Sequence, residues 1–300
     1  MPESFCRVGD LDLCYETFGD RGDPALLLVM GLGTQMLAWN DDFCGLLARR
    51  GFFVVRYDNR DVGRSSRIAA RAPSPLQLLA RDRSAAAYSL EDMADDGIGL
   101  LDALGIEHAH VVGASMGGMI AQLMTIRHPF RILSLASIMS TTGRRRVGRT
   151  APQLYPMLLR RRSRSREGYA AHVAAMQRLI GSPAYPTDPE EIRARARRSW
   201  DRGVDPDGPG RQLAAILAAR DRTRDLRRIT APTVVIHGTA DRLVSVSGGR
   251  ATADAVPGAR LLLFDGMGHD LPRALWPQIV DAIAQNAARA AGGRPAAHAA

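Results

Sequence analysis

Along most of this chain, short continuous runs of apolar residues alternate with segments whose apolar positions recur every three or four residues. These are the signatures of buried strands and amphipathic helices. Residues 25–30 read Ala-Leu-Leu-Leu-Val-Met and residues 52–57 read Phe-Phe-Val-Val-Arg-Tyr; strands apolar on both faces belong inside a parallel sheet. Further strands are expected at 110–112, 132–139, 233–236 and 260–264, and residues 5–8 and 11–17 predict a hairpin turning at Gly9-Asp10. Helices are expected from about residue 39 to 50, from the capping box at Ser89-Leu90-Glu91-Asp92 to Leu104, from Met119 to about His128-Pro129, and from about 275 to 291. Residues 68–88 read as a long loop. Strand and helix in alternation imply an α/β fold, with a mostly parallel central sheet covered by helices on both faces.

Between residues 141 and 230 this alternation stops. Apolar residues there fall at helical spacing, Tyr169, Val173, Met176 and Ile180, then Leu213, Ile216 and Leu217. Turn-rich pieces such as Ser182-Pro183-Ala184-Tyr185-Pro186 and Asp205-Pro206-Asp207-Gly208-Pro209 separate them. The expected organisation is a core of residues 1–140 and 231–291, a helical cap at 141–230, and a disordered Gly/Pro/Ala-rich tail at 292–300. The Pro/Gly joints and Arg-dense surface predict that the cap moves as a lid. A chain of 300 residues, 46% apolar and 24% charged, has ample material for one core with an insertion.

Charge narrows the chemistry. The formal net charge is +9, and every basic residue is Arg; the chain has no Lys. That excludes a Schiff-base or P-loop mechanism, both of which use an ammonium group. About half of the arginines fall in 141–230. No zinc-finger, helix-turn-helix or RNP-like pattern accompanies them, so they read as a solvated charged face and no nucleic-acid partner is expected. Cys6, Cys14 and Cys44 lack any paired spacing, so neither disulfides nor a metal site is expected. With no apolar signal core at the start and no run as long as a membrane span, a cytoplasmic protein without a membrane partner is expected, either a monomer or a homodimer.

The candidate chemistry starts at Gly113-Ala114-Ser115-Met116-Gly117, a Gly-x-Ser-x-Gly turn with strand sequence before it and helix sequence after it. Such a turn forces the serine into a strained strand-to-helix corner, with its hydroxyl projecting at the carboxyl end of the sheet. The Met116 N–H, at the start of the helix, then points where a carbonyl oxygen would gain negative charge. A serine nucleophile needs a base, and the base an orienting acid. Of seven histidines, His108 and His110 precede the nucleophile strand at the wrong end of the sheet, and His128 ends a helix. His172 lies in the insertion, His237 inside a strand run, and His298 in the tail. His269 sits in a glycine-rich loop directly after a strand, where catalytic groups of open α/β sheets gather. By the same reasoning Asp241, after the 233–236 strand, is the acid; Asp265 and Asp270 are nearer in sequence but lie on the histidine's own tight turn. A second oxyanion donor is expected from Leu32 in Gly31-Leu32-Gly33, each donor contributing about 2.7–4 kcal/mol to the transition state.

Taken together, these segments resemble the α/β-hydrolase superfamily over nearly the whole chain apart from the insertion and the tail. The matching stretches include Met30-Gly31-Leu32-Gly33, Arg56-Tyr57-Asp58-Asn59-Arg60-Asp61-Val62-Gly63-Arg64-Ser65, His237-Gly238-Thr239-Ala240-Asp241 and Gly266-Met267-Gly268-His269. Met-Gly at the oxyanion loop together with the Arg56–Ser65 stretch looks most like the aclacinomycin methylesterase group, which cleaves a methyl ester on anthracycline polyketides. The resemblance implies a carboxylic ester hydrolase with a small-molecule substrate and a structural role for residues 58–65; with no metal cluster or dinucleotide motif in the sequence, no cofactor is expected. Gly31, Tyr169, Met176 and Leu217 are the candidate substrate contacts, with ordinary packing of cap on core as the other reading of the last three. The Arg-rich stretch Leu158-Leu159-Arg160-Arg161-Arg162-Ser163-Arg164 matches no pattern. Other reactions on the same triad (C–C or lactone hydrolysis, perhydrolysis, acyl transfer) and a binding protein on this scaffold are the alternatives.

Overall fold

The computed structural model describes residues 3–80, 82–154 and 165–291. One sheet carries β1 Ser4–Val8, β2 Leu11–Phe18, β3 Ala25–Val29, β4 Phe53–Tyr57, β5 Ala109–Ala114, β6 Ile132–Ile138, β7 Thr233–Gly238 and β8 Arg260–Phe264, in the order β1-β2-β4-β3-β5-β6-β7-β8. The β1–β2 and β2–β4 pairs are antiparallel and all others parallel. In β3 every residue is buried and successive side chains alternate between two cores. Ala25, Leu27 and Val29 face α3 (Leu90–Ala103) and α4 (Met116–Arg127). Leu26 and Leu28 face α1 (Asp41–Ala48) and a long helix at the end of the described chain, Trp276–Ala291. A sheet so covered puts the carboxyl ends of β3 and β5 to β8, with their loops, along one edge, where ligands of open α/β sheets bind.

Departures from the sequence expectation have local causes. The first helix starts only at Asp41, because the Asn40 side chain accepts from the Asp42 N–H at 2.9 Å and so caps it there; Met36–Ala38 forms a separate 3-10 turn. The long loop contains α2 (Pro75–Ala80) and a 3-10 turn at Arg83–Ala85. Strand β7 continues through His237 to Gly238.

Between β6 and β7 the described residues form α5 (Arg166–Ile180), α6 (Pro189–Arg202), α7 (Gly208–Ala218) and α8 (Thr223–Leu226), none of which joins the sheet. Two further helices follow, α9 (Ser247–Ala255) and α10, the Trp276–Ala291 helix. Helices α5 and α6 pack through Tyr169, Ala170 and Ala196, with the Tyr169 and Trp200 rings 5.7 Å apart.

The expected solvated charged face needs correcting for three arginines of this segment. Arg202 binds Asp58 Oδ2 and Glu3 Oε1 at 2.7 and 2.6 Å. Arg211 binds both oxygens of Asp61 at 2.8 and 2.7 Å, and Arg222 binds Gln122 Oε1 and the Thr141 carbonyl. Arg211 and Arg222 are buried, and so are Asp58 and Asp61. A buried carboxylate needs a partner, and the insertion supplies it. The 158–164 stretch, the 292–300 tail and His298 lie outside the described residues.

Candidate active site

Glycines set the tightness of the corner where β5 meets α4. A Cβ on Gly113 would stand 2.1 Å from the Gly117 carbonyl oxygen, and one on Gly117 would stand 2.1 Å from that of Val29. Ser115, between them, has φ 58° and ψ −119°, a conformation that costs a non-glycine residue on the order of 1–3 kcal/mol. Its N–H donates to the Ile138 carbonyl at 2.8 Å, and its own carbonyl accepts from Ser140 Oγ at 2.8 Å and Gly118 N–H at 3.0 Å. The strain is thus held by β6, the residues after it and the first turn of α4.

The loop after β8 brings His269 back over this corner. Its Nε2 lies 3.0 Å from Ser115 Oγ and its Nδ1 2.7 Å from Asp241 Oδ2. An ionised carboxylate only accepts, so Nδ1 carries the proton and Nε2 is free to take the serine's. The main chain of the loop is fixed too, the His269 N–H donating to the Ile180 carbonyl at 2.6 Å and the Gly268 N–H to Ser182 Oγ at 2.9 Å. Asp241, after β7, accepts at Oδ1 from the Leu243 and Val244 N–H groups at 2.9 and 2.8 Å, which leaves Oδ2 for the imidazole. Burial alone would raise this carboxyl, but the His269 charge and hydrogen bonds from His237, His269 and Val244 outweigh it and hold Asp241 well below the ordinary range. It stays ionised.

The two competing aspartates are otherwise engaged. Asp265 accepts from Thr239 Oγ1 at 2.8 Å. Asp270 accepts from Gln177 Nε2 at 2.7 Å and from Ser182 Oγ, and burial raises its carboxyl. His237, set aside in the sequence as part of a strand, reaches the same acid: its Nε2 donates to the Val244 carbonyl at 2.8 Å and lies 3.4 Å from Asp241 Oδ2. The only sequence signal was its spacing, four residues before Asp241.

Gly31 lies against the serine, since a Cβ there would stand 3.6 Å from Ser115 Oγ. Its carbonyl accepts from the Thr34 N–H at 3.3 Å, closing a turn with Gly33 at φ +59°. Among the described residues the Leu32 N–H has no protein acceptor, and Met116 heads α4, where helix N–H groups lack intrahelical partners. Met116 follows Ser115 directly in the chain, and Leu32 follows Gly31, the residue that lies against the serine. Asn59 Nδ2 donates to the Met30 carbonyl at 2.9 Å, and Asp58 Oδ1 accepts from the Met36 N–H at 2.8 Å, so residues 58–65 brace the Gly31–Gly33 loop. Of the remaining candidates, Tyr169 is buried between α5 and α6 and borders a small cleft shared with Gly33 and Gln35. Met176 and Leu217 are half-buried on α5 and α7. The structure therefore gathers Ser115, His269, Asp241 and the loop of Gly31 and Leu32, and places Tyr169 both in the α5–α6 packing and on the cleft beside Gly33.

Known proteins share this arrangement of chain. The family model for the alpha/beta hydrolase fold matches residues 24–272. Rhodomycin D methylesterase of a Streptomyces species (strain C5) is 29% identical over 303 aligned residues, covering 94% of this chain and 97% of that protein. A 3-oxoadipate enol-lactonase from Acinetobacter baylyi is 29% identical, with 80% of each chain covered. Among solved structures, the enol-lactonase from Burkholderia xenovorans LB400 superposes with a TM-score of 0.72 at 26% identity, over 96% of this chain and all of that one. The chain belongs to the α/β-hydrolase fold family.

Proposed function

We propose that this protein hydrolyses carboxylic esters through an acyl-enzyme on Ser115. The observation that carries the proposal is the hydrogen-bonded series Ser115 Oγ, His269 Nε2, His269 Nδ1, Asp241 Oδ2, with links of 3.0 and 2.7 Å. As Oγ attacks the ester carbonyl, its proton passes to Nε2, and Asp241 stabilises the imidazolium that forms. The Met116 and Leu32 N–H groups receive the negative charge on the carbonyl oxygen. Collapse of the tetrahedral intermediate expels the alcohol, protonated by His269. Water, activated by the same imidazole, then releases the acid and restores Ser115.

Residues 141–230 act in this reading as a cap that closes the site and selects a lipophilic, polyketide-type methyl ester, with Gly31, Tyr169, Met176 and Leu217 as contacts. Similarity to a rhodomycin D methylesterase over nearly the whole chain supports that substrate class. A small-molecule ester is then the partner, no cofactor enters the reaction, and the enzyme works in the cytoplasm; no helix among the described residues is long and apolar enough to cross a membrane. Lactone opening on the same three residues is the second reading, favoured by similarity to enol-lactonases.

Hydrolysis of p-nitrophenyl esters from acetate to decanoate, of aromatic methyl esters and of enol-lactones, by wild type and Ser115→Ala, tests both. Wild-type turnover with a loss of at least about a thousandfold in Ser115→Ala is expected. Equal rates from the two proteins would overturn the serine mechanism, and preference for lactones over methyl esters would select the second reading.

A further inference from the structure

We propose that Gln212, a residue of the helical segment, is a positioning residue for the oxyanion loop, so that this segment is needed for turnover as well as for substrate selection. The inference rests on the serine mechanism above. Gln212 lies on α7 and is fully buried. Its Oε1 accepts the Gly33 N–H at 2.7 Å, and its Nε2 donates to the Arg60 carbonyl at 2.8 Å. With both ends of the amide engaged, its orientation is fixed. The Arg60 side is anchored in turn, its guanidinium binding both oxygens of Asp96 on α3 at 2.6 Å.

The loop is therefore gripped at both ends by buried side-chain amides. Asn59 holds the Met30 carbonyl from the core side, and Gln212 holds the Gly33 N–H from the insertion. The Leu32 N–H lies between these grips, in the same peptide unit as the Gly31 carbonyl that Thr34 fixes at 3.3 Å. If Gly33 is released, that turn relaxes and the aim of the Leu32 N–H changes. Displacement of a catalytic group by about 1 Å costs on the order of a hundredfold in rate. Docking of α7 does not depend on this amide, because the neighbouring Arg211 separately binds Asp61 through two hydrogen bonds. The position thus separates loop geometry from helix attachment.

The test uses the full-length enzyme with its active sites titrated by a fluorophosphonate. Gln212→Met keeps the length of the side chain and removes both hydrogen bonds; Gln212→Asn is too short to keep both and serves if the first variant does not fold. Per active site, kcat is expected to fall about ten- to a hundredfold with KM changing less than about threefold. Phenylboronic acid, whose serine adduct places an oxygen at the oxyanion position, should bind weaker by a similar factor. If the folded variant keeps kcat and boronate affinity within about twofold of wild type, the proposal is overturned. So it is if KM alone rises. Ser115→Ala, run alongside, separates this failure from that of the serine mechanism, since retained activity there removes the mechanism whatever Gln212 does.

Discussion

Ser115 adopts a backbone conformation that its own side chain disfavours, and Asp241 keeps its charge where burial opposes it. The first cost is met by the Ile138 carbonyl, Ser140 and the first turn of α4, the second by His269, His237 and the Val244 N–H. Asp241→Asn preserves shape but offers an amide where His269 requires an acceptor, which favours the wrong imidazole tautomer. We expect kcat to fall roughly 10⁴-fold, with a melting temperature close to wild type; a loss under about tenfold would mean that Asp241 does not orient the base. Ser115, Asp241 and His269 were legible in the sequence because each sits in a loop just past an apolar run, which fixes where it emerges from the sheet. Gln212 carried no such mark. It is one glutamine in an amphipathic helix, 179 residues from the Gly33 N–H it binds. His237 was hidden differently, since a histidine at the end of an apolar strand looks like core until the loop after it is seen to fold back.

At the level of elements, the inner strands were readable because burial on both faces leaves an unbroken apolar run. Helix α9 was not, because it is built of small residues that leave no 3.6-residue apolar period. Contact explains that composition: a Cβ on Gly249 would stand 2.5 Å from His237 Nδ1, and one on Gly248 would stand 2.7 Å from the Ser140 carbonyl oxygen. The attachment of α6 and α7 was equally hidden, since arginines on a helix look the same in sequence whether they face water or a buried aspartate. Asp61 makes the consequence testable. Its carboxylate also accepts from Tyr88 OH at 2.7 Å and the Ile68 N–H at 2.7 Å, and has no exposed surface. Arg211→Ala leaves it charged and without its main partner, at a cost of about 3–5 kcal/mol. Urea unfolding should register that loss, and replacing both residues, Arg211→Met with Asp61→Asn, should recover part of it. If the single and double variants unfold alike and near wild type, the ion pair is not what secures α7. The lid motion expected from the Pro/Gly joints then has to occur around Arg202, Arg211 and Arg222, or break them.

For the molecule as a whole, the sheet divides two kinds of histidine between its ends, and stability should depend on pH through the end away from the site. His110 is the second residue of β5, close to its amino end, whereas Ser115 follows its carboxyl end. The His110 ring packs edge-on to Phe52 at 5.6 Å, Nδ1 lies 2.8 Å from Ser134 Oγ, and burial lowers its pKa to about 4. An unfolded histidine titrates near 6.5. As pH falls below about 6.5 the unfolded chain binds a proton that the folded chain does not, so His110 contributes stability that is complete above 6.5 and is lost progressively towards 4. At about 1.4 kcal/mol per unit, roughly 2 kcal/mol disappears between pH 7.5 and 5. Asp241 contributes with the other sign of group: its lowered carboxyl favours the folded state above the ordinary carboxylate range, so its contribution persists across that interval. Other groups add their own slopes, and a difference measurement removes them. In urea at pH 7.5, His110→Gln should be less stable than wild type, and at pH 5 that gap should shrink by about 2 kcal/mol as the wild type loses what the glutamine never had. A gap of the same size at both pH values would mean that His110 takes up its proton in the folded state as readily as in the unfolded one.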